Sequence, residues 1–103
     1  TNAIAFINTE INILNDIDRA LSVNEDEGLA LIRSKMWSEL SADGVSKVGT
    51  KGEKFDPTKM EAITTIPPTD DFPSNTVIDE IEAGYMFKER VLIPARVVVA
   101  SDQ

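Results

Sequence analysis

The first part of the chain carries apolar side chains at helical spacing. When residues 3–21 are wound at about 100° per residue, two neighbouring apolar stripes form. The first stripe contains Ile4, Ile7, Ile11, Leu14 and Leu21, and the second contains Phe6, Ile13, Ile17 and Ala20. An ordinary surface helix buries an arc only a little over about 100° wide. The pattern therefore predicts a helix that packs against more than one neighbour.

A second amphipathic segment follows and carries its own helix signals. Ser22 or Asn24 is the predicted N-cap, since an acidic residue then occupies the capping-box position. Gly44 is predicted to end the helix in the left-handed conformation. Gly28 either ends the preceding loop or permits a close backbone approach, and the loop is the favoured interpretation. The apolar positions of this helix are Leu29, Ile32, Met36 and Leu40 on one face, with Leu31 and Trp37 alongside.

These two helices offer more apolar surface than a single hairpin can bury. Pairing with a second copy of the chain would close that surface as a four-helix bundle. We therefore predict a homodimer. The predicted dimer interface contains Phe6, Ile13, Ile17 and Leu21.

The periodicity changes in the second half of the chain. Short segments rich in β-branched residues alternate with turn residues, and they predict strands at 45–48, 63–66, 76–81, 84–87, 90–93 and 97–100. Asp56-Pro57 predicts a capped helical turn that continues to Ala62. Pro94 cannot donate to a sheet, so it belongs on an edge or at a bulge.

The predicted fold class is α+β. Residues 1–43 form a helical dimerisation region, the C-terminal part of a longer helical region, and residues 44–103 form a small all-β domain of short strands. The chain starts at Thr1, already within a helical pattern, which leads us to expect an upstream segment.

Composition and charge restrict the possible partners. The 103 residues are 42% hydrophobic and carry a net charge of -8, so the surface repels phosphates. Nucleic acid and anionic membranes are therefore not expected partners. No apolar run approaches the roughly 20 residues of a membrane span, so we expect a soluble protein.

The residues for most catalytic chemistry are missing. The sequence has no histidine and no cysteine, which excludes Ser-His-Asp and Cys-His nucleophiles and removes the usual zinc ligands. Asp70 and Asp71 are adjacent acids in the predicted loop 69–75, where solvation is the expected state. A carboxylate-pair hydrolase stays formally open, although no pair is nominated. We expect no enzyme activity, no metal and no cofactor.

Three spaced motifs resemble the GrpE family, the nucleotide exchange factors of DnaK-type heat-shock chaperones. They are INILNDIDRAL (11–21), GEKFDPTKMEAI (52–63) and NTVIDEIEAGYMFKERVLIPARVVVA (75–100), and the resemblance runs from Phe6 to Ala100. Three residues depart from the family pattern: Asn12 replaces a proline, Met60 a histidine and Ile93 an arginine. The family's long paired N-terminal helix is absent from this sequence.

The resemblance implies a homodimeric cochaperone in protein folding and the stress response. It would bind the nucleotide-binding domain of a DnaK-type chaperone through its β domain and promote ADP release. The positions that match the family's chaperone contacts are Arg90, Val99 and Ile81, with Gly28 in support. The expected location is the bacterial cytoplasm, or alternatively the mitochondrial matrix. The alternative function is a structural dimerisation module without exchange activity.

Overall fold

The computed structural model describes residues 2–102, and it confirms the α+β class. Two helices precede six short strands. Residues up to 45 form one compact unit and the residues from 46 onward form a second. No helix within residues 2–102 is long and apolar enough to cross a lipid bilayer.

Helix α1 (Asn2–Val23) follows the predicted division into two stripes. In the first stripe, Ile7, Ile11 and Leu14 are buried, while Ile4 and Leu21 are half-buried. The second stripe faces solvent much more. Its members are Phe6 (67% exposed), Ile13 (47% exposed), the exposed Ala20 and the half-buried Ile17.

Helix α2 (Glu27–Ala42) begins later than the sequence predicted. Its N-cap is Asp26, whose carboxylate accepts a hydrogen bond of 3.0 Å from the Leu29 amide. Ser22 and Asn24 were the wrong caps because α1 continues to Val23, and the Ser22 hydroxyl donates to the Arg19 carbonyl within α1. The predicted end is confirmed, since Gly44 has a φ of 106° immediately after the cap residue.

An ion pair links α1 to α2. The Arg33 guanidinium donates to both carboxylate oxygens of Asp18, at 2.9 and 3.3 Å. On α2 itself, Leu40 is buried, but Leu31 is 71% exposed and Ile32 is 59% exposed. Ile32, predicted to share one apolar face with Leu29, Met36 and Leu40, is therefore accessible in the single chain. The helical unit therefore presents large apolar side chains on both of its helices.

The six strands form two three-stranded sheets. Their bounds are β1 Val45–Lys47, β2 Met60–Ile66, β3 Val77–Glu82, β4 Tyr85–Phe87, β5 Arg90–Ile93 and β6 Ala95–Ala100. One sheet has the order β1-β4-β5 and the other the order β2-β6-β3. In the second sheet, β6 is central and pairs parallel with β2 and antiparallel with β3. All predicted strands are present, with ends that differ by up to three residues.

The hydrophobic core of the β unit is built on alternate residues of β6. Ala95, Val97 and Val99 point into it, and the cluster also contains Val48, Met60 and Val77. Gly84 lies against the start of β6, because a Cβ at this position would come within 2.3 Å of the Ala95 nitrogen. A glycine is therefore required at this bend between β3 and β4.

The segment after Asp56-Pro57 differs from the prediction. It forms a single turn that ends at Lys59, and the chain enters β2 at Met60 rather than remaining helical to Ala62. The Ala95 amide donates to the Lys59 carbonyl at 3.0 Å, so the backbone is already hydrogen-bonded to β6 one residue before β2 begins. Pro94 occupies the single-residue break between β5 and β6.

Candidate functional site

The four residues predicted to bind a partner lie on four different elements. Gly28 is in α2, Ile81 in β3, Arg90 in β5 and Val99 in β6. Ile81, Arg90 and Val99 belong to the β unit, whereas Gly28 belongs to the helical unit. Their environments differ strongly.

Arg90 is the first residue of β5 and lies opposite Phe87 across a tight hairpin. The two turn residues are Lys88 and Glu89, and Lys88 has a φ of 54°, in the left-handed region that non-glycine residues rarely occupy. Lys88 places its ammonium 5.3 Å from the centre of the Phe87 ring. Arg90 is exposed and makes no ion pair with any residue in 2–102. Its five donors are therefore available to a partner.

Ile81 is also accessible, with 54% of its surface exposed. It lies at a register shift of β3 between Glu80 and Glu82. Both acids are engaged, because Glu80 accepts from the Thr50 hydroxyl at 2.9 Å and Glu82 accepts from Arg96 at 3.4 Å. An exposed isoleucine between two held carboxylates can make an apolar contact with a partner.

Val99 has a structural environment instead. Its side chain is 4% exposed within the core of the β unit, and its neighbours across the sheet are Thr65 and Val77. A direct side-chain contact with a partner is not available in this conformation. The position can affect binding only through the packing of β6 beneath the surface.

Gly28 lies in the first turn of α2, so the interpretation that it ends the loop is wrong. A Cβ at Gly28 would be 3.3 Å from the Asp26 Oδ1 atom, which is tighter than usual van der Waals contact. That oxygen is the one that caps the helix through the Leu29 amide. Glycine at this position leaves room for the capping carboxylate.

A charged row across the second sheet was missed in the sequence. Arg96 lies between Glu61 on β2 and Glu82 on β3, with nitrogen-to-oxygen distances of 3.8 and 3.4 Å. The signal was present, because a single arginine within the apolar strand ARVVVA marks the outward face of β6. These exposed pairs each contribute only about 0 to 1 kcal/mol. They leave Arg90 as the uncommitted arginine of the β unit within the described residues.

Hydrogen bonds within a turn perturb the pKa of the Asp56 carboxyl. The Thr58 hydroxyl and the Thr58 amide both donate to its Oδ1 atom, at 2.6 and 2.9 Å. These hydrogen bonds, with a smaller effect of the Lys59 charge, hold the pKa of Asp56 below its ordinary value. The shift is explained by the turn itself, in which Asp56 accepts both hydrogen bonds from Thr58. Within residues 2–102, no group of three or more Asp, Glu, His or Cys side chains could hold a metal ion.

The architecture defines a class of protein: a helical hairpin with exposed apolar side chains, joined to a small β unit that presents a free arginine at a hairpin. This chain belongs to the GrpE family, whose sequence model matches residues 3–101. It is 36% identical over 96 residues to Protein GrpE of Lactiplantibacillus plantarum, covering 85% of this chain and 48% of the relative. It is 41% identical over 95 residues to Protein GrpE of Thermotoga neapolitana, covering 87% and 55% respectively. The chain thus spans about half the length of these curated relatives.

Proposed function

We propose that this chain is a non-enzymatic cochaperone that binds the nucleotide-binding domain of a DnaK-type chaperone and promotes release of ADP. Family membership supports this role, and the observation that carries it is the free, exposed Arg90 on the β4–β5 hairpin. A guanidinium can bind a carboxylate through two parallel hydrogen bonds, which gives both affinity and direction. Ile81 supplies an exposed apolar contact in the same β unit.

Exchange of this kind requires no catalytic residue. A factor that binds the chaperone more tightly when its nucleotide cleft is open must weaken ADP binding by the same ratio. A differential affinity of about 4 kcal/mol weakens ADP roughly a thousandfold. Rigid presentation of a few side chains is sufficient, and the two small sheets of the β unit provide it.

The homodimer is part of the proposal. Within the helical unit, Phe6, Ile13, Leu31 and Ile32 are between 47% and 71% exposed. Exposing so many large apolar side chains to water is unfavourable, and a second copy of the same two helices would cover them as a four-helix bundle. The proposed interface is Phe6, Ile13, Ile17 and Leu21. The proposed location is the bacterial cytoplasm, in keeping with the bacterial origin of the relatives.

The binding experiment changes Arg90 to alanine and measures affinity for the nucleotide-binding domain by calorimetry. Loss of a charge-assisted hydrogen-bonded pair of about 1.5 to 3 kcal/mol predicts binding that is roughly tenfold to a hundredfold weaker. Arg19→Ala is the matched control, because Arg19 is an exposed arginine of α1 whose one ion pair within residues 2–102 is with Asp16, three residues earlier. Equal affinity of Arg90→Ala and the parent would remove Arg90 from the interface.

A structural dimerisation module is the second candidate. Two of the four predicted contacts have structural explanations, since Val99 fills the core and Gly28 accommodates the α2 cap. Such a module would form the same dimer but would leave the affinity of the chaperone for ADP unchanged. A release assay with a fluorescent ADP analogue separates the two functions.

A further inference from the structure

A small cavity opens within the β unit. Its volume is about 270 Å³, and it lies between the end of β1, the segment 49–59 and β4. Val48, Met60 and Met86 form its apolar lining. Val48 and Met60 are only 5% and 6% exposed and belong to the core, and Met86 packs against that core. The apolar side of the cavity is therefore held by the fold.

Three lysines line the same cavity. They are Lys47, Lys54 and Lys59, half of the six lysines in a chain whose net charge is -8. None of the three forms an ion pair within residues 2–102, where every ion pair uses an arginine. A concentration of unpaired positive charge in an acidic protein marks a place where a negative group is stabilised.

The backbone fixes where these lysines start. The Lys59 amide donates to the Asp56 carbonyl at 3.1 Å, and the Lys59 carbonyl accepts from Ala95 at 3.0 Å. Lys54 is paired with Thr76 in an isolated bridge, and Lys47 ends β1. The three side chains therefore start from anchored backbone positions around one opening.

Two acids also line the cavity and reduce its positive charge. Asp56 already accepts from Thr58 through its Oδ1 atom, so its carboxylate is committed to the turn. Glu53 is the second acid of the lining. Three lysines and two acids leave the lining with one net positive charge, opposite in sign to the whole chain.

The size of the cavity decides between ligands. Sites for drug-sized molecules usually occupy about 300 to 1,000 Å³, so a complete nucleotide is too large for this cavity. Free phosphate would contact the lysines but would leave the apolar side chains of Met60 and Met86 without a partner. One carboxylate side chain with an apolar neighbour uses both features of the cavity.

We propose that this cavity, lined by Lys47, Lys54 and Lys59 together with Met60 and Met86, binds an acidic peptide in which a carboxylate residue adjoins a large apolar residue. The carboxylate would lie among the lysine ammonium groups, and the apolar side chain would contact the two methionines, whose flexible thioethers adapt to different shapes. The site is separate from Arg90 and does not depend on the exchange activity proposed above.

The test titrates the isotope-labelled chain with acetyl-Leu-Glu-Leu-amide and follows its amide resonances. Shifts are expected at residues 47–49, 53–60 and 86, and they should weaken as salt is added. The variant Lys47→Gln/Lys54→Gln/Lys59→Gln should bind about tenfold more weakly, because three exposed charge interactions are lost. The control Lys35→Gln/Lys51→Gln/Lys88→Gln carries the same net charge and changes the other three lysines, so it should bind like the parent.

Two further probes separate the parts of the proposal. Acetyl-Leu-Gln-Leu-amide lacks the carboxylate and acetyl-Gly-Glu-Gly-amide lacks the apolar side chains, and both should bind more weakly than the parent peptide. Equal binding by the two lysine variants, or by the glutamine peptide, would overturn the proposal. So would absence of shifts, or equal shifts with inorganic phosphate, which would make the cavity an anion site only. The resonance dispersion of each variant reports whether it is folded.

Discussion

Individual residues of the β unit show how the same side chain acquires different roles. Arg96 is held between Glu61 and Glu82 on the surface of the sheet, whereas Arg90 emerges from a hairpin and makes no ion pair with any described residue. The sequence places both arginines in similar apolar strands. Their difference arises from cross-strand pairing, because β6 has neighbours on both sides that contribute acids.

The turn at Asp56 provides a prediction at this scale. Thr58→Val removes the hydroxyl that donates to Asp56 but keeps the amide donor, so the pKa of Asp56 should rise part of the way to its ordinary value. Titration of the Asp56 carboxyl carbon by NMR measures this. Thr58→Ser keeps the hydroxyl and should leave the pKa unchanged. If the pKa of Asp56 in Thr58→Val stayed as low as in the parent or fell further, the Thr58 hydroxyl would not be the cause of the shift.

The same shift determines the sign of the pH dependence. Because the folded-state pKa of Asp56 is depressed, the ionised carboxylate stabilises the turn above the unfolded-state pKa. That contribution is lost as the pH falls through the lower, folded-state value. The turn should therefore loosen in acid, and neutral solution should leave it unaffected.

At the scale of elements, the start of α2 is the feature that the sequence placed wrongly. The structure assigns the cap to Asp26, with Asn24 in the linker and Ser22 inside α1. Ser22 and Asn24 each have an acid three residues later, at the capping-box position, whereas Asp26 has Leu29 there. The local pattern therefore favoured the wrong residues, and the observed end of α1 at Val23 leaves Asp26 as the cap.

Asp26→Ala should destabilise the chain by about 1 kcal/mol, since it removes the acceptor for the Leu29 amide. Chemical denaturation monitored by circular dichroism gives the change in the free energy of unfolding. Asn24→Ala is the control, because Asn24 lies between the helices and should change stability by less than about 0.5 kcal/mol. A larger loss of unfolding free energy in Asn24→Ala than in Asp26→Ala would indicate that Asn24 is the N-cap, as the sequence predicted.

Local sequence patterns predicted most helices and strands, but they failed where hydrogen bonds between residues distant in sequence set the boundary of an element. The strand 90–93 has the predicted bounds, and the left-handed Gly44 is confirmed. The start of β2 was missed because a proline turn resembles the first turn of a helix. The bond from the Ala95 amide to the Lys59 carbonyl joins residues far apart in sequence, and no local pattern reports it. The buried state of Val99 likewise depends on both neighbours of β6.

At the scale of the whole molecule, the exposed apolar stripe of α1 leads to the dimer prediction. Ile13→Asp should raise the dimer dissociation constant at least about a hundredfold, since dimerisation would then bury an unpaired charge. Ile13 is 47% exposed in the single chain, so the fold of each chain should tolerate the change. Sedimentation equilibrium measures the mass.

The control for that experiment is Asn12→Asp, which adds the same charge at the exposed neighbouring position. Its dimer mass should equal that of the parent. An unchanged dimer in Ile13→Asp, or equal dissociation of both variants, would contradict a bundle formed through the second stripe.

Release of a fluorescent ADP analogue from a cognate DnaK-type chaperone tests the proposed function most directly. Stopped-flow mixing with a saturating concentration of this chain should accelerate release strongly, and Arg90→Ala should need a higher concentration to reach the same rate. Arg19→Ala should behave like the parent. If release keeps its basal rate at a concentration where calorimetry shows the chaperone to be bound, the chain is a binding module and the exchange function is wrong.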